Sequence, residues 1–170
     1  MSENTIYIGC DNGISGGISF FKPATNNLVS VPMPIIKTKS AKGLKSEYDL
    51  PAIINLLKQY KDIKIAILER AQAFPGQGVV SQFSIGRNYG MMEALLTALE
   101  IPYQITHSKS WQKKMFEGIN HQDTKQASAL VAQRLFPGFK FYATDQSSKI
   151  HSGMTDSALM AVYGSIIYGK

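Results

Sequence analysis

Three acidic residues stand where a fold could aim them at one point. Asp11 closes the apolar run TIYIGC, Glu69 closes IKIAIL, and Asp156 opens the small-residue apolar run DSALMA. A carboxylate buried at such a place is costly unless something pairs with it. A hard divalent cation would offset that cost, and oxygen ligands are what magnesium or manganese prefers. The chain carries 18 basic and 12 acidic residues, a net charge of +6, which favours a polyanionic partner. Together these features point to phosphodiester chemistry. Three carboxylates suit two ions about 3.5–4 Å apart, which activate a water and stabilise the leaving oxygen. Asp11 is expected to bridge the ions, with Glu69 and Asp156 holding one each. No serine, histidine and aspartate combine in a supporting context, and metal-assisted hydrolysis needs no such nucleophile.

Each residue also has a plainer reading. Asp11, in DNGISGG, could bond its own backbone in a hairpin turn. Glu69 could pair with Arg70, although adjacent strand residues point to opposite faces. Asp156 could answer the dipole at a helix start. His151, five positions before Asp156, could reach the same metals or a phosphate, or only bond its loop.

The elements that must position these groups follow from pattern. TIYIGC reads as a central strand, and Ser15-Gly16-Gly17 as a tight turn. ISFF and NLVSVP then return as a meander. Residues 34–49, with Lys37, Lys39, Lys42 and Lys45, read as a basic loop or long connection. Asp49 can cap a helix with Pro51 in its first turn. IKIAILE is a strand, and strand-helix-strand order implies a parallel pair in a sheet covered by helices. A long helix is expected over about residues 81–99, with Phe83, Met91, Met92, Leu95, Leu96 and Leu99 on its buried side. YQIT is a short strand and SKSWQKKM a helical turn. Asp123 and Ser152 are expected to cap two further helices. The fold class is α/β, a mixed five-stranded sheet flanked by helices.

At 170 residues one domain with one sizeable core is expected. Cys10 is the single cysteine, so no intrachain disulfide and no cysteine metal cluster can form, and a reducing compartment fits. No run approaches the ~18 apolar residues of a membrane span. MSENTIYIG lacks a basic region before an apolar stretch, so no signal peptide is expected. The expected location is cytoplasmic, or the host-cell cytoplasm for a phage-encoded protein, with no membrane partner.

IYIGCDNGISGG, IAILERAQAFPGQG, SKSWQKKM with DTKQASALVAQRLFP, and HSGMTDSALMAVYG occur in this order across the chain. In these stretches the sequence resembles the RuvC family of Holliday junction resolvases, within the ribonuclease-H-like superfamily. The resemblance matches Asp11, Glu69 and Asp156 to the family's acidic ligands, and Lys125 to its lysine at a helix opening. It departs at the fourth ligand. The familiar bacterial form has that residue three positions before the last aspartate, where this chain has Gly153. His151 is similar to the histidine of phage-type members. The resemblance implies a ribonuclease-H-like fold over residues 1–170 and Mg2+ as cofactor, two ions per site, with Mn2+ able to substitute. It implies a homodimer that binds a four-way DNA junction and nicks opposing strands symmetrically. It also implies a junction-probing loop at AQAFPGQG, where Phe74 would stack on a base or pack on its own domain. Lys109, Lys113, Lys114 and Lys125 would form the phosphate-binding surface. Arg87 would add to it, or serve only to keep its helix soluble.

Other readings stay open at this point. A related nuclease acting on flaps, branched DNA or an RNA–DNA hybrid would carry the same three carboxylates. A junction-binding protein without catalysis would not need all of them. An actin-like sugar kinase would share a DNGISGG-like loop but needs a duplicated domain and a second glycine-rich motif.

Overall fold

The computed structural model describes residues 3–40, 43–72, 75–120 and 123–169. In chain order the elements are β1 (Ile6–Asp11), β2 (Gly17–Lys22), β3 (Asn27–Pro32), β4 (Ile35–Ser40), β5 (Gly43–Tyr48), α1 (Leu50–Lys58) and β6 (Ile63–Glu69). Then come α2 (Val79–Ala98), β7 (Tyr103–Thr106), α3 (Ser108–Met115), α4 (Thr124–Leu135) and α5 (Ser152–Tyr168). Five strands form one mixed sheet in the order β3-β2-β1-β6-β7. β1 pairs antiparallel with β2 and parallel with β6, and β6 pairs parallel with β7. This is the mixed five-stranded sheet with flanking helices expected from the order of elements. Among the described residues no helix is long and apolar enough to cross a membrane.

Strand alternation assigns the two faces. On β1 and β6, Ile8, Cys10, Ala66 and Leu68 pack with Ile53 and Leu57 of α1 and Met92 and Leu96 of α2. Ile67 faces the other way, into a cluster with Trp111 of α3, Val131 of α4 and Leu159 of α5. β1 lies in the middle and is covered on both sides, with Tyr7, Ile8 and Cys10 fully buried.

The closest packing is between α5 and the β1–β2 pair. A Cβ at Gly9 would lie 2.7 Å from the Ala161 nitrogen and closer still to the Ser157 carbonyl oxygen. A Cβ at Gly153 would lie 2.5 Å from the Ser15 carbonyl oxygen. Glycine at both places lets backbone meet backbone. Between these contacts three buried hydroxyls join the layers. Ser19 donates to Ser30 at 2.7 Å and lies 2.7 Å from Ser157, and Ser30 donates to the Met154 carbonyl at 3.1 Å. Ser157 also reaches the Met154 carbonyl at 3.2 Å, so its single proton is shared between that oxygen and Ser19, while Ser19 and Ser30 pass theirs on toward the same carbonyl.

Several local expectations change. Residues 34–49 are not a linker: β4 and β5 form a separate two-stranded ribbon, paired from Ile35↔Tyr48 to Ser40↔Gly43. Its lysines hide the strand signal because both ribbon faces are largely solvated, so no apolar alternation marks it. Tyr48, 5% exposed, roots the ribbon by donating from its hydroxyl to the Asn12 carbonyl. Asp49 and Asp123 cap α1 and α4 as expected, accepting from Ala52 N at 3.1 Å and Lys125 N at 2.8 Å. The cap of α5 is His151, not Ser152. On α2, Met92 is buried as expected, whereas Phe83 is 69% exposed. The helix starts two residues earlier than expected, and Val79 and Val80 in its first turn are exposed as well.

Gly9→Ala should lower stability by about 1–3 kcal/mol, the usual cost of forcing atoms into a packed contact. Urea unfolding checks this. An unchanged midpoint would show that α5 does not rest on the β1 backbone.

Candidate active site

Register and alternation bring the first two carboxylates together. Cys10 pairs with Leu68, so Asp11 and Glu69 are the next residues out on neighbouring parallel strands. Gly9 and Ile67 face α5, and so do Asp11 and Glu69 two residues on. Asp156 arrives from α5 on that same side. All three line one cleft of about 280 Å³, with Asn12, Gly13, Arg70, Ala71, Gln72 and Ser108. The cleft lies at the carboxyl ends of the parallel strands, where ligands of open α/β sheets gather. The Asn12 amide ties the strand ends by donating to the Glu69 carbonyl at 2.7 Å.

The plain readings of these groups weaken. Asp11 Oδ1 accepts from Gly13 N at 3.2 Å, which is the turn bond expected of an Asp-Asn-Gly loop. It does not account for burial beside two more carboxyls. Glu69 takes its hydrogen bond from Ser108, and Arg70 bonds His107 instead of its neighbour. Asp156 lies one turn beyond the cap, and the first turn of α5 holds no acidic residue, so the helix dipole does not explain it.

Electrostatics record the crowding. Burial raises the pKa of Asp11, and the Gly13 N–H and nearby His151 hold it back. Burial also raises Glu69; Ser108 and Trp111 lower it and Asp11 pushes it further up. Asp156 is raised to about 7, chiefly by burial, then by Asp11 and Glu69, against lowering by Ser128 and Lys125. Among the described residues three buried side-chain atoms have no hydrogen-bond partner: Trp111 Nε1, Ser128 Oγ and Asp156 Oδ1. All belong to this neighbourhood, since Trp111 acts on Glu69 and Ser128 on Asp156 without reaching bonding geometry. Such orphaned groups cost about 1–3 kcal/mol each.

This donor set fits a hard cation: oxygen ligands, crowded negative charge, and a buried carboxylate oxygen without a partner. Among the described residues, however, no group of three or more His, Cys, Asp or Glu side chains is already arranged around one ion. The carboxylates share a cleft rather than a closed cage.

His151 caps α5, its Nδ1 accepting from Met154 N at 3.3 Å. That bond needs the Nδ1 lone pair, so the neutral ring carries its proton on Nε2. Burial lowers its pKa while Asp11 raises it. At Gly153 any side chain would enter the Ser15–Gly16 backbone, so a fourth ligand has no room there.

The basic residues divide. Lys125 is close enough to Asp156 to lower its pKa. Lys109 and Lys113, one turn apart on α3, line a surface hollow of about 300 Å³ with Gln112 and Phe116. Lys114 turns away and pairs with Glu117 at 2.9 Å. Arg87 pairs with Glu47 of the ribbon at 2.6 Å. Phe74 lies outside the described residues. Sequence reasoning missed Ser108, Trp111, Ser128 and the Arg70–His107–Gln72 group. Ser108 alone left a signal, because it follows β7 at the sheet end that Asp11 and Glu69 mark.

No protein-family model and no curated protein matches the sequence. Solved structures do share the fold, among them these three. The chain is similar to Thermus thermophilus RuvC, at 14% identity over 96% of both chains, with a TM-score of 0.53. It is similar to T. thermophilus RuvC in complex with Holliday junction substrate, at 11% identity over 96% of both chains and a TM-score of 0.57. It is also similar to the yeast mitochondrial Holliday junction resolvase Ydc2, at 14% identity over 94% of this chain and 77% of that one, with a TM-score of 0.50. The chain thus has a RuvC-like, ribonuclease-H-like fold.

In metal-free buffer the Asp156 carboxyl binds a proton in the folded state up to about pH 7. Unfolded, it releases that proton near pH 4, its ordinary range (~3.9). Between these values the native state holds more protons, so rising pH costs stability. Asp156→Asn should therefore match wild type near pH 4 and exceed it at pH 8 by an amount on the order of a few kcal/mol. Denaturant midpoints across pH check this; parallel curves for the two proteins would refute it.

Proposed function

We propose that this protein is a metal-dependent endonuclease that resolves four-way DNA junctions by paired, symmetric nicks. The observation that carries the reading is the meeting of Asp11, Glu69 and Asp156, from β1, β6 and α5, in one cleft beside Lys125. The likeness to a RuvC solved with a Holliday junction substrate supports the choice of junction DNA.

Asp11, Glu69 and Asp156 would hold Mg2+, or Mn2+ in its place, as two ions. When bound, such ions supply an activated water and neutralise charge on the leaving oxygen. The chain's own groups prepare that site. Asp11 acts on both other carboxyls, which suits it to the shared position. Ser108 fixes one oxygen of Glu69, leaving the other for a ligand. Lys125 favours the ionised form of Asp156, which must give up its proton near neutral pH to bind a cation. His151, protonated on Nε2 while it caps α5, lies close enough to Asp11 for the two to shift each other's pKa. It would ligate an ion only by exchanging that tautomer. Lys109 and Lys113 hold the strand's phosphates as it enters.

A homodimer would match the two-fold junction. Its contact is best supplied by the start of α2, where Val79, Val80 and Phe83 are 81%, 76% and 69% exposed. Met92 is spent on the core, and Tyr89 and Met91 pack partly against it.

Asp11→Asn, Glu69→Gln and Asp156→Asn should each reduce nicking by about a hundredfold or more, the scale seen when one electrostatic catalytic group is lost. Junction binding in calcium should persist. Full cleavage by Glu69→Gln sinks the assignment. Comparing a four-way junction with a flap, a duplex and an RNA–DNA hybrid tests the substrate; preference for the hybrid would point to a different nuclease on this fold.

Cation binding has its own readout. Magnesium should raise the thermal midpoint of wild type, because a ligand that binds only the native state stabilises it. It should do so much less for Asp11→Asn. Equal shifts in the two proteins would place the ions elsewhere.

A further inference from the structure

The mouth of the cleft carries a cation that the mechanism above leaves unused. Arg70 follows Glu69, and its backbone N–H donates to the Thr106 carbonyl at 2.9 Å, extending the β6–β7 ladder past the strand end. Its side chain therefore leaves from a fixed stem. The guanidinium Nη1 lies 3.3 Å from His107 Nε2, and His107 Nδ1 lies 3.1 Å from the Gln72 amide nitrogen. A guanidinium can only donate, so Nε2 must accept and the neutral ring's proton sits on Nδ1. With its amide flipped, Gln72 offers the oxygen that this proton needs. The bonds then run one way: Gln72 orients His107, and His107 orients Arg70.

Among the described residues the ion pairs do not include Arg70. Arg70, Gln72 and Ser108 line the same cleft as the three carboxylates. Pairing through one guanidinium nitrogen leaves another edge of the fork open, and that edge suits two oxygens of a phosphate. A cleft walled by three carboxyls repels a polyanion, so a held cation at its mouth has an electrostatic task. His107 also begins α3 without capping it through its side chain, so the first N–H groups of that helix add to the same positive region.

We propose that Arg70, oriented by His107 and Gln72, binds a phosphate of the nucleic-acid strand next to the one cleaved, with His107 as its positioning residue. This rests on the nuclease reading and extends it to a subsite. Binding of a labelled four-way junction, measured by anisotropy in calcium across a range of salt, tests it separately from cleavage. Arg70→Ala should weaken binding about tenfold near 0.1 M salt and reduce the salt slope by about one, as for one lost phosphate contact. Arg70→Lys should recover the slope but not the affinity, since a lysine lacks the fork. His107→Ala should weaken binding less, with the slope kept, and His107→Gln should restore it by supplying an acceptor. A wild-type slope for Arg70→Ala, or full affinity for His107→Ala, overturns the assignment. A wild type that binds the junction but never cuts it ends the nuclease reading and leaves the binding comparison intact.

Discussion

Backbone-to-backbone contact between α5 and the β1–β2 pair is the constraint on which the rest depends. Gly9 and Gly153 remove the side chains that would hold the helix off the sheet. Once seated, α5 fixes the second turn that carries Asp156, a short distance from the ends of β1 and β6. The buried Ser19–Ser30–Ser157 chain sets the helix against sliding, because moving it would strand hydroxyls with no water to replace their partners. Any looser seat would move one carboxylate of three and leave the other two in place.

That seat has an electrostatic consequence. A close-packed helix excludes water, and exclusion of water is the first cause of the raised pKa at Asp11, Glu69 and Asp156. The same packing that locates the groups makes their shared negative charge expensive. The orphaned atoms of Trp111, Ser128 and Asp156 tell the same story in hydrogen bonds. Among the described residues the buried side-chain atoms without partners gather here, the pattern expected of a candidate functional site. A bound cation would offset that crowded negative charge, and the positive residues around the rim would suit a polyanion brought to such a cleft.

The rim is assembled from parts with separate structural origins. Lys109 and Lys113 come from one face of α3, Lys125 from the first turn of α4, and Arg70 from the residue after β6. The ribbon of β4 and β5 stands apart from the sheet, yet Tyr48 anchors it on Asn12 and Glu47 anchors it on Arg87 of α2. The ribbon thus braces the loop after Asp11 from the side opposite α5.

The amino-acid sequence by itself determined the five strands of the main sheet, the caps of α1 and α4, and which carboxylates stand at element ends. Those are local matters: alternation, the special backbone of glycine, and the reach of Asp49 or Asp123 to its own helix. That Asp11 and Glu69 each end a strand was legible from local pattern, whereas the pairing of β1 with β6 that sets them side by side belongs to the folded sheet. Tertiary structure decided what non-local contact decides. Arg70 bonds His107, 37 residues away, a pairing no spacing rule supplies. Phe83 lies outside the core although Met92 and Leu96 of the same helix are buried, because the first turns of α2, from Val79 to Phe83, are left largely uncovered. The ribbon at residues 35–48 stayed hidden because its faces are largely solvated and carry no apolar period, Tyr48 being its buried end. Gly153 stands where a ligand was sought because the Ser15–Gly16 backbone already occupies that space, and only a packed structure can show which atoms compete for a volume.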